Sequence, residues 1–200
     1  VDPTRVTTAQ VFSAASLPVV RDAGELAAAW QAGLPAFMDI ADLCPAMDKL
    51  LAVRWTIGLR NPGHAVAKLL DPFADLASQV ASVRVVNHTH PEYAHSLRAF
   101  LQHTHANAML MRGTEGEPVA DARRQPKCDM FIQGQHDAAL SLAPEEGVLT
   151  TLPDLPASHT AVDTARYIAQ VQAGAQPLPP AIAAQVQALV QALARVRACA

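Results

Sequence analysis

Residues 82–111, SVRVVNHTHPEYAHSLRAFLQHTHANAMLM, read as strand, helix, strand, and this reading decides the fold class. Val83, Val85 and Val86 give a β-branched run suited to a pleated, half-buried surface. Pro91 fits the first turn of a helix, after which Tyr93, Leu97, Phe100 and Leu101 fall on one helical face. Residues 106–111, ANAMLM, are almost continuously apolar, the pattern of a central strand covered on both faces in a parallel sheet. The expected class is α/β, with a central, mostly parallel sheet flanked by helices.

The same signals extend outward. Upstream, Thr7 or Thr8 can cap a short helix through Ser16, and Asp22-x-x-Glu25 is a capping box opening a helix that stops near Gly33. Residues 35–40, PAFMDI, read as a short buried strand. Pro45 starts a helix that Gly58 ends, and a second helix over 62–70 stops at Asp71-Pro72. Residues 43–70 are thus expected as a small helical lobe inserted in a single α/β domain spanning 1–200. Downstream, 113–127 is a long polar loop, a candidate functional loop on length alone. Residues 130–132 and 138–142 read as strands with Gly134 near their turn, and 160–174 and 180–196 as helices. In the last helix, Ile182, Val186, Leu189, Val190 and Leu193 form the stripe expected to pack on the sheet.

Half of the 200 residues are apolar and only 4% aromatic, so the core must be built from Ala, Leu and Val. No apolar run is long enough to span a bilayer, and no charged-then-apolar leader is seen. Cys44, Cys128 and Cys199 are far apart and in no CxxC spacing, which points to reduced thiols in a cytoplasm. The net charge of −3 offers no overall attraction to nucleic acid. The charge is unevenly placed, however: residues 49–127 hold ten Lys or Arg against six Asp or Glu, while 128–165 hold six acids and no Lys or Arg. A positive middle between acidic ends is the pattern of a focused anion site.

Within 45–60, PAMDKLLAVRWTIGLR, Leu50, Leu51, Val53 and Ile57 can form a buried stripe, leaving Arg54 and Arg60 at the far end. Guanidinium keeps its charge and matches carboxylate or phosphate bidentately, so these two suit an anionic ligand. Arg54 and Trp55 are consecutive, and a 100° step between helix residues argues against a shared face. Arg112 ends the ANAMLM strand, and Arg123, Arg124 and Lys127 add charge to the loop behind it. Phosphate contact is one reading of this loop; pairing with Glu115, Glu117 and Asp121 is the other. His88 and His90 would face one side of a strand as two metal ligands could, but no third ligand has suitable spacing, and helix-end or surface roles are preferred. No GxSxG is present, and Cys44 has no base nearby in sequence. Aromatics being scarce, any nucleic-acid contact is expected to run through the backbone, with steep salt sensitivity.

Pro45-Ala46-Met47, Val53-Arg54 and Ile57-Gly58-Leu59-Arg60 together resemble the central segment of the anthranilate phosphoribosyltransferases, members of glycosyltransferase family 3. They resemble still more closely the YbiB-type relatives, which share that fold and are described as nucleic-acid-binding. His90-Pro91-Glu92-Tyr93-Ala94 and Arg112-Gly113-Thr114-Glu115-Gly116-Glu117-Pro118 agree with the same pattern, so the match runs over roughly residues 5–150. The resemblance implies a phosphoribosyltransferase/nucleoside-phosphorylase-like fold. It also implies that Val1 opens the chain in the middle of a larger fold, making a C-terminal piece the expectation. The family's glycine-rich phosphate loop and Lys-His-Gly-Asn segment do not occur in these residues. Where its enzymes carry an Asp-Glu pair for magnesium, this chain has Pro118 and Val119, unless a gap brings Glu117 into the metal role. Asn61 stands where they have Thr, His64 aligns with their Asn, and Cys44 stands where they tend to have a pocket histidine.

Two functions follow as expectations. The leading one is non-specific nucleic-acid binding through Arg54, Arg60, His64, Lys68, Arg112, Arg123, Arg124 and Lys127 gathered in one hollow, with no cofactor and no catalytic residue in this chain. The alternative is phosphoribosyl transfer from phosphoribosyl diphosphate to an aromatic acid acceptor held by Arg54, with magnesium required. A homodimer half without a ligand of its own is a plainer third.

Overall fold

The computed structural model describes residues 5–76, 80–147, 150–156 and 158–199. The chain clusters into two compact units, Val1–Ala67 with Asp154–Pro177, and Lys68–Pro153 with Leu178–Ala200. The reason is that each set of elements packs on its own members.

The first unit is mainly helical. It contains α1 (Thr8–Ala14), α2 (Ala23–Gln31), α3 (Ile40–Leu43), α4 (Pro45–Ala52), α5 (Arg54–Ile57), α6 (Gly63–Val66) and α8 (Ala161–Gln172). Two short strands, β1 (Val19–Val20) and β2 (Phe37–Met38), pair in parallel. Caps occur where the side chains dictate. The Thr7 hydroxyl accepts from Gln10 N–H while the Gln10 side chain returns to Thr7 N–H, a reciprocal pair that satisfies two orphan donors. The Asp22 carboxylate accepts from Glu25 N–H, but Glu25 reaches back to Arg21 N–H, one residue beyond the box expected. The helix expected across 45–58 breaks at Val53, and Gly58 closes α5 in the left-handed conformation. Its expected apolar stripe is not buried in this unit: Leu50, Val53 and Ile57 are exposed, and Leu51 is only half-buried. The break swings residues after Val53 off the periodicity on which that stripe depends.

The second unit carries a four-stranded sheet in the order β3 (Arg84–His88), β4 (Ala108–Arg112), β5 (Cys128–Ile132), β6 (Gln135–Leu142). β3 and β4 are parallel, connected through α7 (Tyr93–His103); β4–β5 and β5–β6 are antiparallel. The sheet is therefore mixed, not mostly parallel. The cause is local: only Gln133 and Gly134 separate β5 from β6, both at positive φ, and two residues can close a hairpin but never a parallel crossover. A Cβ at Gly134 would also come within 2.8 Å of the Gln102 carbonyl oxygen, so the turn needs glycine twice over.

α7 covers one face of the sheet, where Val86, Leu101, Ala106, Ala108, Leu110 and Phe131 form a closed core. The other face, Met109, Met111, Cys128 and Met130, packs against α9 (Pro180–Cys199). The buried stripe of α9 is Ala181, Gln185, Ala188, Ala192 and Val196, whereas Val186 and Val190 of the expected stripe are exposed. Alanine carries no bulk, so this face lets the helix approach the methionine side chains closely. Ile182 and Leu189 flank the contact. Among the described residues no helix is long and apolar enough to cross a membrane.

Candidate anion-binding rim

Opposite residues on paired strands share a face, so the register lays out the site. On the α7 side, Ala108 stands beside Phe131, then Val86 beside Leu110 and Asp129, then His88 beside Arg112. Lys127 precedes Cys128, the partner of Met111, and so brings a third basic group to the His88–Arg112 end. The face passes from apolar core to cationic rim over the length of two residues. This rim lies at the carboxyl ends of the parallel pair β3 and β4, where open α/β sheets place ligands.

Asp129 anchors the rim. Its carboxylate accepts from Arg98 Nη2 of α7 at 2.7 Å and lies 3.2 Å from Lys127 Nζ and 3.4 Å from His136 Nε2. A buried carboxylate needs such partners, since desolvation without them costs several kcal/mol. One carboxylate shared among these groups leaves positive charge over. Arg98 and Lys127 stay solvent-accessible, and Arg112 is exposed and forms no ion pair among the described residues.

The loop behind β4 is ordered by its own bonds. Gly113 turns the chain where a Cβ would meet Asn87 Nδ2 at 2.2 Å and the Glu117 carbonyl oxygen at 2.8 Å, so no other residue fits. The Gly116 carbonyl accepts from Asn87 Nδ2 at 2.6 Å and from Lys68 Nζ at 3.3 Å, which carries Lys68 to the same end of the sheet. Gln185 of α9 accepts from Ala120 N–H and donates to the Pro118 carbonyl, pinning the middle of the loop. His88 sits among these charges: burial holds its pKa below the usual 6.5, the His90 carbonyl at 3.2 Å opposes the shift, and Arg112 and Lys68 reinforce it. His88 is accordingly neutral at pH 7.

Of the residues expected from sequence, Lys68, Arg112 and Lys127 come to this rim. Arg123 does not stand free: it grips Asp121 with two bonds, Nε to Oδ1 at 2.9 Å and Nη2 to Oδ2 at 2.8 Å, which is the pairing reading of that loop. Arg124 is exposed and without an ion pair among the described residues. Arg54, Arg60 and His64 belong to the first unit. There the Arg54 guanidinium lies 4.4 Å over the Trp55 ring, against the expectation that the two would diverge. Arg54 opens a separate short helix, and its long side chain folds back across the angular step. Arg60 is exposed, and His64 Nδ1 lies 3.2 Å from the Asn61 carbonyl. Arg98 and Asp129 were not expected; a lone carboxylate at the head of the apolar MFI run was the available signal, since burial there demands a basic partner.

Other chemistries have less support. His90 lies beyond the end of β3, so strand alternation does not align it with His88. Glu117 is exposed in the turn, and among the described residues no group of three His, Cys, Asp or Glu is placed to hold a metal. Ser141, His136 and Asp129 lie together, but Ser141 Oγ and Asp129 both approach Nε2, so the ring cannot be oriented at one nitrogen while acting at the other. Burial pushes the Cys128 thiol up to about 11, which keeps it protonated and unreactive. The side chain of Cys199 lies outside the described residues.

No family model matches the chain. Over 185 residues the chain is 31% identical to the uncharacterized protein YbiB of Escherichia coli (strain K12), an alignment covering 92% of this chain and 55% of that protein. The chain therefore spans about half the length of the curated relative it matches.

Proposed function

We propose that this chain binds nucleic acid without sequence preference, its rim holding successive backbone phosphates, within a phosphoribosyltransferase-like fold. The observation that carries the reading is that Lys68, Arg98, Arg112 and Lys127 come to one sheet end, where only Arg98 and Lys127 of the four share the Asp129 carboxylate among the described contacts. Lysine and arginine contacts to phosphate release condensed counterions, so affinity falls with salt in proportion to their number. Titration of a labelled duplex across a salt series tests it. Arg112→Ala and Lys127→Ala should each reduce the slope of log affinity against log salt by about 0.9, almost equally for every sequence. Binding indifferent to salt and to both substitutions ends the reading.

A second reading, phosphoribosyl transfer to an aromatic acid, is favoured by the Gly113–Gly116 turn lying beyond two parallel strands. That chemistry needs a divalent cation on the diphosphate, and the exposed, ungrouped Glu115 and Glu117 do not fit one. Turnover of phosphoribosyl diphosphate by this protein, lost in Arg54→Ala, would put this reading first. Either function is compatible with a cytoplasmic setting for the buried Cys128 thiol.

A further inference from the structure

Resting on the nucleic-acid reading, we infer that the rim selects single strands over duplex, with the Tyr93 ring as the platform on which an unpaired base stacks. Tyr93 opens α7 and was expected to share the buried face of Leu97, Phe100 and Leu101; instead it is 55% exposed. It precedes Leu97, which packs on the core, by one turn of α7, and its helix begins a few residues after His88 ends β3. Phe131 is buried and Phe100 packs on the α7-side core, so neither ring is offered to solvent as Tyr93 is.

The ring is also held in place. His90 and Tyr93 meet edge to face, centroids 6.0 Å apart and planes at 76°, which fixes the Tyr93 orientation while leaving more than half of the residue open. The His90 carbonyl receives Tyr93 N–H at 3.2 Å and lies 3.2 Å from His88 Nδ1. One backbone oxygen thus ties the aromatic platform to the rim through His88, the cross-strand partner of Arg112. An exposed ring on the segment that joins α7 to the strand end carrying Arg112 is the combination that single strands use: bases stack on the ring while phosphates follow the cations. A duplex keeps its bases stacked on one another and has no face to give Tyr93.

The test is fluorescence anisotropy of the 200-residue chain with three labelled probes of equal length: oligothymidylate, an abasic oligodeoxynucleotide and a duplex. Tyr93→Ala should weaken oligothymidylate binding roughly ten-fold and leave the abasic and duplex probes unchanged, while Tyr93→Phe keeps full affinity. Its salt slope should also stay put, whereas Arg112→Ala lowers the slope by about 0.7 on the single strand. Undiminished oligothymidylate binding by Tyr93→Ala, or an equal loss on all three probes, overturns the inference and leaves the nucleic-acid reading standing. Failure of the unsubstituted chain to bind any probe removes that reading and the inference with it.

Discussion

Asp129 and Asp121 both accept arginine, yet they leave opposite charge balances behind them. Asp121 is matched one to one by Arg123 across two residues of a loop, and the pair cancels. Asp129 is buried on a strand and draws Arg98 from a helix 31 residues away, together with Lys127 and His136. A local pair closes on itself because its partners are held together by the chain. A buried hub collects cations from several elements and passes their excess charge to the surface. Counting charges along the chain treats the two alike; only the second makes a site.

The largest break in this contrast should come from Asp129→Asn. Three basic groups lose the negative charge they share and one of its two accepting oxygens, and the fold should lose about 1–3 kcal/mol, read from the urea midpoint. The same substitution removes the negative charge that Arg98 and Lys127 share, so nucleic-acid affinity should rise while stability falls. A change in which both fall together would show Asp129 to be a plain structural anchor.

A subtler effect should follow pH through His88. Its folded pKa lies below 6.5, so between that value and 6.5 the unfolded chain holds more protons than the folded one. Stability should therefore decline as pH drops from 7 through this window. Nucleic-acid affinity at constant ionic strength should do the reverse, because the protonated imidazole adds a cation beside Arg112 and Lys68, with Asp129 the one carboxylate among the charges it senses. His88→Asn should flatten both profiles. The smallest effect belongs to the closed pair: Arg123→Ala should leave the urea midpoint in place and alter nucleic-acid binding far less than Arg112→Ala. Equal losses from the two arginines would erase the distinction between hub and pair.

Much of the fold was legible because it depends on neighbours in sequence. Thr7, Asp22, Thr160, Gly33, Gly58 and Gly174 mark helix ends by bonds or dihedrals that close within a few residues. The ANAMLM strand and the loop behind it appeared where expected. The hairpin was legible in its turn but not carried through to strand direction, which is why a mostly parallel sheet was anticipated. The α9 stripe was right at Ile182 and Leu189 and wrong at Val186 and Val190, because valine and leucine score as core while alanine scores as neutral. Packing chose alanine, the residue that permits close approach. Of the site, the basic residues were visible and their availability was not: Arg112 and Arg123 have the same chemistry and differ only in what stands beside them.

From residues alone came the α/β class, the order of the elements from β3 onward, several helix ends and the concentration of positive charge between 49 and 127. These rest on interactions spanning a turn or less, or on composition. Strand direction, the buried face of α9, the exposure of Tyr93 and the grouping of Lys68, Arg98, Arg112 and Lys127 were decided in three dimensions. Each depends on contacts between residues tens of positions apart, and burial in a dense, poorly solvating interior is what gives those contacts their energy.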